Sequence, residues 1–294
     1  MSTQITTAMV QGYRANVDLL LQQQGSLLEG KVRVETQNVE FDYYDRIGAT
    51  EANEITDRHG DTTYNNTPHD RRQVGLRDYD WADLIDKADK VRLLHSPESE
   101  YAMSAAFALG RKKDDVIISA FFGTAKSGKA GATSVTFPAG YQIAVNYVES
   151  GAAVNSGLTI GKLRRARTLL RQAQVPKTAK IYIAVTATQI QDLLQTVQVG
   201  SGDYNAVKAL VDGEVNKFMG FEFVEIERLS TDTNSYRRIP VWAQDGVLLA
   251  KGAEVSASID VLPTKRHSTQ VRAWMSCGAT RMEEGKVIEI KCAE

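Results

Sequence analysis

Apolar and polar positions change their period several times along this 294-residue chain, and each change marks an element. Val10, Tyr13, Val17, Leu20 and Leu21 recur at spacings of three and four, which predicts a helix over residues 7–24. Gly25 and Gly30 follow it, so residues 1–34 read as an arm, tethered to the body rather than built into it. From 36 to 80 the period falls to two. Val39, Phe41 and Tyr43 alternate with Glu40 and Asp42, and Val74 and Leu76 are flanked by Gln73 and Arg77, the pattern of two half-buried strands. The polar tip between them, from Thr56 to His69, is too poor in apolar residues to nucleate a core. A lone two-stranded ribbon is marginal in water, so its apolar edge is expected to be covered from outside by a neighbouring copy of the same protein.

A strong helix start follows: Ser96 as N-cap, Pro97 at the first helical position and Glu98 in the first turn. Only Gly110 interrupts the run from 97 to 122, which would span ~39 Å, well beyond the usual helix. It reads as a beam on which other elements are laid. Residues 123–134 are rich in Gly, Ser and Lys and read as a flexible surface loop, and 135–157 as irregular with strand character around Tyr141–Val148. Leu158–Ala173 is an amphipathic helix, with Leu163, Ala166, Leu169 and Leu170 on one face and Arg164, Arg167 and Arg171 on the other. Lys180–Val185 reads as a buried strand and Thr188–Val197 as a helix with Thr188 and Gln191 at capping-box spacing. A helix at Tyr204–Val211 and strands at Phe221–Ile226 and Arg238–Trp242 complete an α/β block over 158–240. Strands at Val247–Leu249, Val255–Leu262, Thr269–Met275 and Lys286–Lys291 follow, and this sheet is expected to pack on the long helix. The class is α+β.

Charge narrows the function. Thirty-five basic residues against 36 acidic ones argue against a chain whose main work is gripping phosphate backbones, while leaving open one that encloses nucleic acid. Cys277 and Cys292 support neither a metal-ligand spacing nor a disulfide framework and read as buried thiols. The opening MSTQITTAMVQGYR lacks a secretory pattern, and no stretch approaches the ~18 apolar residues of a membrane span. A soluble cytoplasmic product with no membrane partner is expected.

Candidate chemistry is sparse. Gly123, Gly128 and Lys129 match the frame of a phosphate-binding loop, but Ala130 stands where a hydroxyl would hold Mg²⁺, a helical run precedes it and no helix opens after it. His59, His69, Asp57, Asp61 and Asp70 match no metal-ligand spacing. No Ser/His/Asp or Cys/His set can be assembled, since only His95 and His267 lie outside the ribbon. No catalytic, cofactor-binding or metal residues are therefore assigned. The ribbon's arginines are more telling: Arg46, Arg58, Arg71, Arg72 and Arg77 lie among ten acids and no lysine. The planar guanidinium suits interface ion pairs, whereas lysine is depleted at interfaces. Together with Asp57 and Asp61 these five are the inter-subunit interface candidates. The basic face made by Lys162, Arg164, Arg165, Arg167 and Arg171 is what any amphipathic surface helix carries, with nucleic-acid contact as its other reading.

The order of parts, together with Val32-Arg-Val-Glu-Thr, Phe41-Asp-Tyr-Tyr-Asp-Arg-Ile-Gly, Thr67-Pro-His-Asp-Arg-Arg, Asp78-Tyr-Asp-Trp-Ala-Asp-Leu-Ile-Asp and the Ala-rich helix ending in Lys113-Asp-Asp, resembles the major capsid proteins of tailed bacteriophages, a fold shared with herpesvirus shells and encapsulins. The resemblance implies an N-terminal arm (1–34), an extended β-loop (35–80) lying over a neighbour, a peripheral domain (81–157) with spine helix 97–122, an axial domain (158–240) and a returning sheet (241–294) that completes the peripheral domain. It implies hexamers and pentamers closing into an icosahedral virion shell around double-stranded DNA, without sequence-specific contact, assembled in a bacterial cytoplasm. A portal and decoration proteins are the further partners it brings. Some relatives weld their shells through a lysine in the extended loop. None occurs between Lys31 and Lys87, so a non-covalent shell is expected. The arm begins almost at Met1, so a scaffold is expected to be a separate protein. An encapsulin-like compartment and, more remotely, a nucleotide-binding protein are the alternatives.

Overall fold

The computed structural model describes residues 22–55, 60–85, 98–196 and 217–294. The helix expected at 7–24, apart from its last residues, the Ser96–Pro97 start, Asp57, Arg58 and His59, and the helix at Tyr204–Val211 lie outside them. In chain order the elements are β1 (Arg33–Thr36), β2 (Phe41–Ile47), β3 (His69–Gly75), β4 (Arg77–Ile85), α1 (Glu98–Phe122), β5 (Ala125–Ser127), β6 (Thr133–Val135), β7 (Gln142–Ile143), α2 (Ile160–Gln172), β8 (Ile181–Val185), α3 (Ala187–Thr196), β9 (Lys217–Phe218), β10 (Phe221–Glu225), β11 (Arg237–Ala243), β12 (Val247–Leu262), β13 (Ser268–Arg281) and β14 (Val287–Cys292). No helix among the described residues is long and apolar enough to cross a membrane.

The chain divides into two compact units. The first takes Met1–Ser26, Arg77–Lys113 and Ala253–Cys277; the second takes Leu27–Leu76, Asp114–Gly252 and Gly278–Glu294. In the first, β4 runs antiparallel to β13, from Arg77 opposite Cys277 to Ile85 opposite Thr269. The long helix lies on this pair: Tyr101 meets Trp81 in a tilted contact with ring centroids 6.5 Å apart, and the Lys112 ammonium sits 5.2 Å over the Tyr79 ring. The glycine that interrupts the helical pattern has a packing reason. A Cβ on Gly110 would fall 2.6 Å from the Gly25 carbonyl carbon, so only glycine lets the segment entering at 22–25 pass against the helix. Arg111 then holds that segment, donating to Gln22 Oε1 at 2.8 Å and to the Gln23 carbonyl at 3.1 Å.

The second unit is built on a six-stranded sheet in the order β7-β14-β11-β8-β10-β9. All five residues of β8 are buried, as a continuous apolar run requires when both faces of a strand are covered. Leu163, Ala166, Leu169 and Leu170 of α2 and Ile190 and Leu193 of α3 enter the same core as Ile181, Ile183 and Val185. The start of α3 differs from expectation. It begins at Ala187, and the capping pair is Thr186 with Gln189, whose Oε1 accepts from the Thr186 N–H at 2.9 Å, two residues before Thr188 and Gln191. The C-terminal strand also differs: β14 pairs with β11 from Trp242 opposite Val287 to Arg237 opposite Cys292, so it completes the α/β sheet. Its alternating pattern showed a strand with one covered face but not which sheet would cover it.

Residues 27–36 are integrated rather than tethered. Leu28 and Val32 are buried, the Leu27 and Leu28 N–H groups donate to the Asp114 carboxylate at 3.0 and 3.1 Å, and β1 runs parallel to Leu248–Lys251 of β12. Trp242, fully buried, ties this segment down: its Nε1 donates to the Lys31 carbonyl at 2.9 Å while its ring lies between Phe121 (4.6 Å) and Tyr182 (5.8 Å). Lys162 on α2 is buried too. Its Nζ donates to the carbonyls of Ser156 (2.7 Å), Gly157 (2.9 Å) and Lys291 (3.0 Å), and burial pulls its pKa down. Both cysteines are buried thiols outside any disulfide, and burial pushes the Cys292 thiol up to about 12.

Candidate functional site

The ribbon forms as an antiparallel hairpin, Phe41 opposite Gly75 through Ile47 opposite His69. It is not alone. The Gly- and Lys-rich stretch that reads as a flexible loop is itself a hairpin, β5 and β6, and β5 pairs with β3, giving a four-stranded sheet in the order β2-β3-β5-β6. The P-loop frame is thereby spent on a turn: the Gly131 N–H donates to the Gly128 carbonyl at 3.1 Å, and both glycines take positive φ. The base of the ribbon is covered by its own chain, with Val74 in a small core with Leu248, Ala250 and Met282. The outer face is not. Phe41 (51%) and Ile47 (69%) are exposed, as are Val39 (54%) just before β2 and Ile55 (90%) and Tyr64 (89%) in and around the polar tip.

Three arginines meet along the hairpin, between its middle and its tip end. Arg72 and Arg281 are fully buried, and both point at one carboxylate, Glu284: Arg72 at 2.6 Å and Arg281 at 3.7 Å. Arg46 pairs with Asp70 directly across the hairpin and reaches Glu284 at 3.9 Å. Arg281 also donates to the carbonyls of Phe121 (2.8 Å) and Gly123 (3.0 Å), where the long helix ends and leaves its last carbonyls without intrahelical partners. Burial lowers the pKa of Arg72 and Arg281, and Glu284 opposes the shift in each.

Asp70 lies well below the usual carboxylate range, at about 2: burial acts to raise it, but hydrogen bonds from the Ser127 hydroxyl, Arg46 and the Arg71 backbone outweigh that. A carboxylate depressed in the fold contributes stability above its unfolded pKa and loses it as pH falls through the folded one. Asp70→Asn is therefore expected to flatten the loss of stability between about pH 4 and about pH 2, followed by tryptophan fluorescence during acid titration.

The interface candidates thus separate. Arg46 and Arg72 are engaged inside the chain. Arg71 is exposed and paired across the hairpin with Asp45 at 2.5 Å, Asp61 is exposed in the tip, and Arg77 is exposed on β4. Asp57 and Arg58 lie outside the described residues. Among the described residues no three His, Cys, Asp or Glu side chains gather to hold a metal.

A sequence profile for phage capsid proteins matches residues 5–294. The chain belongs to the phage capsid protein family. This capsid protein is structurally similar to the capsid of Ralstonia phage GP4 (TM-score 0.74, 11% identity, covering 97% of this chain and 95% of that one). It is similar also to the capsid of cyanophage P-SCSP1u (0.73, 16%, 98% and 94%) and to a chain of Mycobacterium phage Che8 (0.68, 15%, 96% and 96%). No curated protein sequence matches it. The family makes it a structural protein of the virion, a major capsid protein that associates with copies of itself to build a phage shell.

Proposed function

We propose that the capsid protein forms hexamers and pentamers that close into an icosahedral shell around double-stranded DNA, and that the hairpin of β2 and β3 lies on an adjacent subunit. The observation that carries the second part is the outer edge of β2, which has no partner strand among the described residues, beside the exposed side chains of Phe41 and Ile47. An unpaired edge with apolar side chains invites association. Arg71, Arg77 and Asp61, held at the surface, would set register at that contact while apolar burial supplies most of the cohesion. The long helix is the spine of a peripheral domain, and the block built on β8 is the axial domain of this reading. A separate scaffolding protein, a portal and decoration proteins are its further partners, with synthesis and assembly in a bacterial cytoplasm.

Negative-stain electron microscopy of the purified protein, with and without a candidate scaffold, tests this. Closed particles or capsomer rings are expected; DNA-free particles filled with a protein cargo would point to an encapsulin-like compartment instead. Phe41→Glu combined with Ile47→Glu is expected to leave the unassembled fold within about 0.5 kcal/mol of wild type while abolishing particles, because both positions are exposed in the single chain. Wild-type particles from the double variant would remove the hairpin from the assembly.

A further inference from the structure

Residues 150–191 contain seven lysines and arginines and not one acid, in a chain whose net charge is −1. Their centre is α2. Its inward charge, Lys162, is consumed by three carbonyls, but Arg164, Arg167 and Arg171 form an outer stripe at helical spacing, with Lys177 and Lys180 exposed beyond the helix end. From Arg164 to Arg171 the stripe covers about two turns and advances ~10 Å, about three nucleotide steps of 3.4 Å along one strand.

The stripe is held in place by its hydrogen bonds. Arg167 donates to the Met219 carbonyl at 3.4 Å and Arg171 to the Val175 carbonyl at 2.8 Å, contacts with neutral acceptors that fix a guanidinium without cancelling its charge. Arg164 meets Glu149 at 3.1 Å in an exposed pair, which is worth little in water. The face carries no apolar anchor either: the other exposed residues of the helix are Thr168 and Gln172. A protein partner would need a buried aromatic or aliphatic centre there, whereas a phosphate backbone needs only fixed, forked donors.

We propose that the α2 stripe is a sequence-independent contact for the phosphate backbone of nucleic acid, and hence the surface this protein turns toward the shell's contents. The second clause rests on the shell reading above; the first does not. The near-neutral total then reflects one basic face offset by acids elsewhere, which keeps the grip weak.

The test is fluorescence anisotropy of a short duplex DNA of arbitrary sequence with the full-length unassembled protein. Affinity is expected to fall on the order of 10²-fold between about 50 and about 200 mM salt, a log–log slope near −3. Replacing Arg164, Arg167 and Lys177 together with Gln should reduce that slope by about 2–3, and replacing the same positions with Lys (Lys177 unchanged) should restore it. Replacing the exposed Lys126, Lys129 and Lys265 with Gln, a control of equal charge, should leave the slope near wild type. Thermal melts of each variant establish that it is folded. Absence of salt-dependent binding by wild type, equal slopes in the stripe and control variants, or a stripe variant that loses affinity for poly-glutamate but not for DNA would each overturn the proposal, the last in favour of an acidic protein partner. Particles seen by electron microscopy of the same preparations keep the two readings apart, since wild type without shells but with the expected slope would remove only the shell.

Discussion

Glu284→Ala is expected to lower the stability of the unassembled capsid protein by about 3–5 kcal/mol, the cost of removing one partner of a buried ion pair. The reason is the stoichiometry of the site: Arg72 and Arg281 are fully buried, and among the described residues Glu284 is the acidic group within ion-pair distance of both. Its removal leaves two desolvated guanidiniums without that carboxylate, and like charge already acts to lower the proton affinity of each, from Arg46 on Arg72 and from Arg72 on Arg281. Glu284→Gln should cost less, because an amide oxygen still accepts, but it restores no charge. Guanidinium chloride unfolding measures the loss. Hydrogen exchange locates it, with protection falling first in Phe41–Ile47 and His69–Gly75, which Glu284 holds through Arg46 and Arg72. A midpoint within error of wild type would mean that the arginines find other acceptors.

Trp242→Ala should be of similar size, about 3–5 kcal/mol, but for a different reason. The indole is fully buried between Phe121 and Tyr182, so truncation opens a cavity where the end of the long helix, the central strand β8 and the segment before β1 meet. Trp242→Phe separates the contributions. It retains most of the aromatic packing and orphans the Lys31 carbonyl, a loss of about 1–3 kcal/mol. If the phenylalanine variant falls as far as the alanine one, packing is not what Trp242 supplies. Both variants are read by denaturant midpoint, with circular dichroism as the signal because the substitution removes a fluorophore.

The elements that the sequence predicts well are those whose burial is decided locally. Alternation in Phe41–Ile47 survives in the hairpin because one face of β2 turns inward, with Tyr44 against the small core and Arg46 at the acids, while Phe41 and Ile47 stay out. The apolar stripe of α2 is legible for the same reason, since each of Leu163, Ala166, Leu169 and Leu170 is buried. What is not legible depends on partners far along the chain. Arg72 looks like a surface charge in a charged ribbon until Glu284, 212 positions later, is brought beside it. The β5–β6 hairpin has the composition of a loop and owes its order to β3. β12 reads as two short strands around Lys251-Gly252-Ala253, yet it is one 16-residue strand that continues through the glycine. The candidate site was legible as a charged, arginine-rich hairpin; the division of its arginines between the interior and the surface was not.

Lys162 has one more consequence. An ammonium enclosed by three carbonyls presents neither a lone pair nor a path to solvent, so acetyl donors and aldehydes that modify surface lysines cannot reach it while the fold is closed. Each copy thus keeps this amine in reserve, and its covalent labelling would record how often that copy had opened.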